Sequence, residues 1–337
     1  YPWQANSSPC SNLSGPIKFQ SQLSSSQSAI TVGVNNGVTK MTRRNTPTRL
    51  TSMIYRVRNM RLTLVMRIES NKSNRLLRLK QMLSDKSLEL ISNEVGLEGG
   101  ETDFKTPWMY KFLLFVLPVP FRAITNIHYY GLEKIPKDSP AIFVANHTSH
   151  VDPFLKIVAA KRPVHYLAKK EHFESHATKL LMESTGQIST ARENGSRDAL
   201  EKAVDVLESG CSMGIFPEGT RSRKTHAPFL QTGKTGVARL AAKFPKIPIV
   251  PISINGARDF MKPGSLIIKP WKRIDVYIGD SITFSEWLSD TEGGIYNDQG
   301  VEVIISKNEN EKREDMKQIY RKFTDQIIET LRLNGAP

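Results

Sequence analysis

Cysteine is nearly missing: Cys10 and Cys211 are the only two in 337 residues, too few for a disulfide scaffold and at no metal-binding spacing. A reducing compartment is the natural reading. No stretch of about 20 uninterrupted apolar residues exists, so a transmembrane helix of standard length is not supported. The nearest candidate, Phe112 to Leu117, is short and is ended by Pro118 and Pro120. Acid is absent from one end. No Asp or Glu precedes Glu69, whereas nine Lys and Arg do, and the whole chain carries 47 basic against 33 acidic residues for a formal +14. The surplus therefore sits mostly before Glu69. A basic arm suits nucleic acid, an anionic membrane surface or an import machinery, and charge alone selects none of them.

What is present is an ordinary globular composition, 39% hydrophobic and 24% charged, in a chain long enough for one large or two medium domains. Residues 1–50 are rich in Ser, Asn, Gln and Thr and are expected to be disordered, because they bury too little to offset ordering entropy. Position 1 is not Met, and Met41-Thr42-Arg43-Arg44 offers another start. Disordered arm, transit peptide and upstream artefact stay open as three readings. Residues 51–104 read as a basic amphipathic helical segment. In it Ile54, Val57, Leu64, Val65 and Ile68 recur at helical spacing among Arg56, Arg58, Arg61 and Arg67, and a weaker pattern runs through Leu76, Leu79 and Leu83. Trp108, Tyr110, Lys111 and the apolar run to Phe121 suit either a membrane interface or a core helix.

From Ile127 onward β-rich runs alternate with helical patterns. Strands are expected at Ile127 to Tyr130, Ala141 to Ala145, Val164 to Ala168, Met213 to Phe216, Ile249 to Ile254, Leu266 to Lys269 and Ile274 to Ile278. Helices are expected at Pro153 to Ala160, Thr178 to Ser184, Arg197 to Glu208 and Thr235 to Ala242. This predicts an α/β domain over residues 105–285, with a mixed, partly parallel sheet flanked by helices. Residues 286–337 read as a polar linker followed by a terminal helix, Met316 to Leu333.

Asn146-His147-Thr148-Ser149-His150-Val151-Asp152 follows one predicted strand and precedes a helix begun by Pro153. Asp before Pro is a helix-start signal, with Asp152 as N-cap. A His at the strand end can also meet a carboxylate five residues on, which would orient the imidazole and make His147 a candidate general base. Further on, Phe216-Pro217-Glu218-Gly219-Thr220-Arg221-Ser222 leaves another strand. Its Gly permits close backbone approach, and its Arg offers a planar fork matched to phosphate.

Together these blocks resemble the glycerolipid acyltransferase family that includes 1-acyl-sn-glycerol-3-phosphate acyltransferases. Asn146, His147, Ser149 and Asp152 match its first block and Phe216 to Ser222 its third. Gly186, Ile188 and Arg192 resemble the second, Val250-Pro251-Ile252 the fourth, and Lys234-Thr235-Gly236 also lies where the family has similar residues. The family often has Asp before the block-two Arg, whereas Thr190-Ala191 stand here.

The resemblance implies acyl transfer from acyl-CoA or acyl-carrier protein to the sn-2 hydroxyl of lysophosphatidate, giving phosphatidate. Glycerol 3-phosphate and other lysophospholipids are the rival acceptors. It implies His147 and Asp152 as the catalytic pair, Glu218, Gly219 and Thr220 in the acceptor site, and Arg221, Arg192 and Lys234 on the phosphate. Backbone N–H groups near Gly219 or at the start of the next helix would stabilise the oxyanion. No cofactor or metal is implied, and the expected setting is a membrane surface, peripheral or monotopic on a cytoplasmic-side face, with a plastid or other organelle possible.

Other motifs carry less. Gly210-Cys211-Ser212-Met213-Gly214 spells the serine-hydrolase expression, but a helix runs into it and a strand leaves it, the reverse of the order that chemistry needs. His172 and His176 lack a third ligand at recognisable spacing and read as a solvated face. No stacking motif, zinc-finger spacing or recognition-helix signature supports nucleic acid as a partner, which leaves a non-enzymatic basic binding module as the distant alternative.

Overall fold

A computed structural model describes residues 83–100, 103–174, 176–190, 195–265 and 267–337. The arm of residues 1–50, the basic pattern from Met53 to Ile68, and Leu76 and Leu79 lie outside the described residues. The apolar runs form β1 (Ile127–Tyr130), β2 (Ile142–Ala145), β3 (Val164–Lys169), β4 (Ile188–Thr190), β5 (Ser212–Ile215), β6 (Ile249–Asn255) and β7 (Ile274–Ile278). They join one seven-stranded sheet in the order β1-β7-β6-β2-β5-β3-β4. Every pairing is parallel except that of β6 with β7, so the expected mixed, mostly parallel α/β class is the one observed. Strand β2 is buried at every position, as strands covered on both faces must be.

Eleven helices follow in chain order among the described residues: α1 (Asp85–Glu94), α2 (Trp108–Val116), α3 (Pro118–Ile124), α4 (Asp152–Ala160), α5 (His176–Ser184), α6 (Gly195–Glu208), α7 (Gly236–Lys243), α8 (Ala257–Phe260), α9 (Phe284–Ser289), α10 (Asp298–Ser306) and α11 (Glu309–Leu333). Leu155 and Ala159 of α4 and Phe260 of α8 pack with Phe143 and Val250 on one face of the sheet. On the other face, Val204 and Leu207 of α6, Val237 and Leu240 of α7 and Phe323 of α11 pack with Ile142 and Val144.

Connectivity now places a crevice. Strand β2 leads through α4 to β3, while β5, lying between β2 and β3, leads through α7 to β6 on the far side of β2. Helices α4 and α7 cover opposite faces, so the chain leaves the adjoining C-terminal ends of β2 and β5 in opposite directions. Open α/β sheets bind ligands at such a switch point.

The structure departs from the sequence expectations at four places. Residues 285–315 are no linker: Phe284, Trp287, Val301 and Ile304 are buried in the main core, and Thr283, Asn297 and Asn308 cap α9, α10 and α11. The boundary at residue 104 is no edge of the core either, because Leu88 and Ile91 of α1, with Leu97, belong to it. Of the strand expected from Leu266 to Lys269, Leu266 lies outside the described residues, and residues 267–269 supply a single bridge, Ile268 with Met261. Strand β4, three residues long on the sheet edge, had too little pattern to be read.

Candidate active site

The turn after β2 is fixed by Asn146, whose side-chain amide substitutes for a ladder rung. Its Nδ2 donates to the Ile254 carbonyl and its Oδ1 accepts the Ile254 N–H, both at 2.8 Å. His147 leaves from that anchored point. Its Nδ1 lies 2.9 Å from Asp152 Oδ2, and the same oxygen accepts the N–H groups of Thr148 and Ser149, each at 2.7 Å. Asp152 is therefore not the N-cap expected: α4 starts at Asp152 itself, Val151 precedes it as cap, and the carboxylate folds back over the turn. An ionised carboxylate can only accept, so Nδ1 carries the hydrogen and Nε2 keeps its lone pair. Nε2 has no hydrogen-bond partner among the described residues.

Burial is the largest influence on His147 and pulls its pKa below the usual histidine value, with Lys156 and Arg221 adding to the fall while Asp152 opposes it. The imidazole is thus held neutral near neutral pH, the form a general base requires. Phe216 stacks on the ring with centroids 3.9 Å apart and planes 15° from parallel.

The loop after β5 grips His147 from the other side. Glu218 Oε1 accepts the His147 N–H at 2.7 Å, and the Ser222 N–H donates to the His147 carbonyl at 3.0 Å. Glu218 Oε2 takes two bonds from Gln231, from its backbone N–H at 3.1 Å and its Nε2 at 3.2 Å. Burial pushes the Glu218 carboxyl up to about 7 against the pull of these donors. Expected among the acceptor-binding residues, Glu218 has both oxygens engaged inside the protein, where they brace the two loops together.

Gly219 turns the chain at φ +70°, a left-handed conformation that favours glycine, with the Lys234 side chain lying against it. Its N–H donates to the Phe216 carbonyl at 2.9 Å, which removes it as the oxyanion donor expected near Gly219. Thr220 is exposed at the tip of the loop and Lys234 is exposed beside Gly219. Arg221 Nη1 donates to His150 Nε2, and desolvation together with the Arg221 charge keeps His150 neutral to receive it. Arg258 holds the outgoing chain through the carbonyls of Ser222 and Lys224, at 3.3 and 2.6 Å.

The structure therefore brings together His147, Asp152, Glu218, Gly219, Thr220, Arg221 and Lys234. Arg192 lies outside the described residues; what is placed is β4, whose C-terminal end at Thr190 points to the same end of the sheet as β2 and β5. Ser212 of the hydrolase expression is a buried strand residue whose Oγ accepts the Ala141 N–H at 3.2 Å, far from any nucleophile's surroundings. Sequence reasoning did not assign roles to Asn146, His150, Phe216, Gln231 or Lys156. The first three stood inside the two blocks and carried a positional signal; Gln231 and Lys156 carried none.

A family model described as Acyltransferase matches residues 126–255. The 1-acyl-sn-glycerol-3-phosphate acyltransferase of Streptococcus pneumoniae is 30% identical over 189 residues, covering 55% of this chain and 64% of that protein. That of Bacillus subtilis is 28% identical over 162 residues, covering 47% and 78%. A chloroplastic 1-acyl-sn-glycerol-3-phosphate acyltransferase of Arabidopsis thaliana is 30% identical over 143 residues, covering 42% and 39%. The chain thus spans just under two thirds of the first relative's length and about two fifths of the plant one.

Proposed function

We propose that the chain, whose residues 126–255 match the Acyltransferase family model, is an acyltransferase that transfers a fatty acyl group from acyl-CoA or acyl-carrier protein to the sn-2 hydroxyl of lysophosphatidate, giving phosphatidate. The observation that carries this reading is the joining of two blocks 71 residues apart, so that a carboxylate-oriented imidazole, held neutral by burial, lies against the loop that carries Arg221. The names of the relatives point to the same acceptor.

The chemistry follows from the geometry. An alcohol is a poor nucleophile at neutral pH, and His147 Nε2 takes its proton as the oxygen attacks the thioester carbonyl, a contribution of about 10²–10⁴-fold. Asp152 stabilises the imidazolium so formed. The tetrahedral intermediate then collapses to the ester, and the departing thiolate takes the proton back from Nε2. Arg221 meets the acceptor phosphate with charge-assisted hydrogen bonds. Purified protein assayed with labelled acyl-CoA against lysophosphatidate, glycerol 3-phosphate and other lysolipids tests the reading; failure to acylate any of them defeats it, and preference for another acceptor corrects it.

Arg221→Ala is expected to raise KM for lysophosphatidate about 10- to 100-fold, the worth of a hydrogen bond to a charged group, with a smaller change in kcat. A phosphate-free acceptor such as a monoacylglycerol serves as the comparison. Equal losses on both acceptors would remove Arg221 from the phosphate site.

The setting we propose is a membrane surface. Among the described residues no helix is long and apolar enough to cross a membrane. Pro118 divides the apolar run into α2 and α3, and these two helices expose Trp108 (72%), Phe115 (83%) and Val119 (75%) beside Lys111 and Arg122. A core helix does not expose such groups, whereas an interfacial one does. Tyr110 pins α2 to the domain through the Val164 backbone, with O–H to carbonyl at 2.8 Å. Phe115→Glu combined with Val119→Glu should abolish most cosedimentation with phosphatidylglycerol-containing vesicles while sparing turnover of a short-chain soluble acceptor. Undiminished cosedimentation would move the contact elsewhere.

A further inference from the structure

Lys156 lies one helical turn after Asp152 on α4 and is completely buried. Lysines are almost never so placed unless paired, and no carboxylate lies within ion-pair distance of this one among the described residues. Its Nζ instead donates to carbonyls of the two strands that carry the site, Phe143 within β2 at 3.4 Å and Ile215 at the end of β5 at 3.1 Å. It also sits 3.6 Å from the centre of the Phe216 ring and 4.8 Å from that of Tyr166. The His147 imidazole is 3.9 Å from the same Phe216 centre and nearly parallel to it. Two groups so close to one ring centre cannot share a face. The phenyl ring is therefore sandwiched between ammonium and imidazole.

We propose that Lys156 is a positioning residue for acyl transfer, whose buried ammonium holds Phe216 against His147 and opposes protonation of that imidazole. The inference rests on the assignment of His147 as general base. Carbonyl oxygens and aromatic faces all favour a cation over a neutral amine. Burial pulls the Lys156 amine well below the usual lysine value; against it act these carbonyl and ring contacts and the charge of Asp152, one turn away and also buried, whose Oδ1 has no hydrogen-bond partner among the described residues. The charged and titratable groups around His147 are Asp152 and Lys156 from α4, Glu218 and Arg221 from the loop after β5, His150 from its own turn and Tyr166 from β3. Of these, Asp152 stabilises the imidazolium, and Lys156 and Arg221 destabilise it. Arg221 is partly solvated and screened; Lys156 is not.

The sign follows. A cation roughly 7 Å from the imidazole, through a ring and out of reach of water, shifts its protonation by about one pH unit. Lys156→Met removes the charge at similar volume, and Lys156→Gln removes it while keeping a hydrogen-bond donor. In both, the acidic limb of kcat/KM is expected to move about one pH unit upward, whatever the change in the plateau above it. A merely structural lysine would lower activity at every pH and leave the limb where it was.

The proton on His147 is read without activity by following the ring resonances of the seven histidines during pH titration, with His147→Gln identifying the one of interest. An upward shift of that titration in Lys156→Met or Lys156→Gln supports the inference. An unmoved titration overturns it, whatever the assay shows. A moved titration with an unmoved kcat/KM limb would remove His147 as the base, and with it the role of Lys156 in acyl transfer, leaving only its effect on the imidazole's protonation. Thermal unfolding of both variants shows whether the fold is kept.

Discussion

His147→Ala should lower kcat/KM for acyl transfer by about 10²–10⁴-fold, the contribution of a positioned general base, with little change in the unfolding transition. The size follows from what the imidazole alone supplies. Nε2 of His147 has no partner among the described residues, whereas Glu218 has both oxygens committed and His150 accepts from Arg221. The fold should survive because His147 is held through its backbone, whose N–H and carbonyl meet Glu218 and Ser222 whatever the side chain. Steady-state kinetics with lysophosphatidate and labelled acyl-CoA, alongside circular dichroism, provide the check. An alanine variant within tenfold of wild type would sink the mechanism.

How far the site was legible in the sequence depends on what kind of interaction makes it. His147 and Asp152 were readable because a turn of five residues leaves few ways for them to lie, and their chemistry is local. Seven strands were expected and seven formed among the described residues, but with one exchange. Residues 267–269, the described part of the run from Leu266 to Lys269 with the apolar content of a strand, find only the bridge to Met261, while Ile188–Thr190 becomes β4 because an open edge of β3 lies beside it. Edge pairing is a tertiary event with almost no local signature. The helices of residues 284–306 were hidden for a related reason: Phe284, Trp287, Val301 and Ile304 are few among polar neighbours, and only the packing of Phe323 against the first two shows their purpose. Glu218 was placed in the acceptor site because a carboxylate in a motif suggests contact with substrate. Its actual role, a brace between two loops, depends on Gln231, thirteen residues away across an irregular segment. Lys156 was invisible altogether, since a lysine on a predicted amphipathic helix reads as solvated until the burial is known.

Asp152→Asn is expected to lower kcat/KM by about 10²-fold or more, and its pH profile should move in the direction opposite to that of the lysine variants. Asp152 Oδ2 accepts three hydrogens, from His147 Nδ1, Thr148 N and Ser149 N. An asparagine oxygen in the same place can accept all three, so the tautomer of His147 persists and only the charge is lost. The amide nitrogen then occupies the position of Oδ1, which is buried without a partner, and this orphan should cost about 1–3 kcal/mol of stability. Asp152 raises the His147 pKa through both its hydrogen bond and its charge. Without that charge the imidazolium of the transition state is less stable, which lowers the plateau, and the ground-state imidazole stays neutral to lower pH, which moves the acidic limb downward. Loss of the cation at Lys156 moves the limb upward, and loss of the anion at Asp152 moves it downward with a depressed plateau. If the Asp152→Asn limb rose, or if kcat/KM stayed near wild type, the carboxylate would be a structural element of the turn and not the partner of a catalytic histidine.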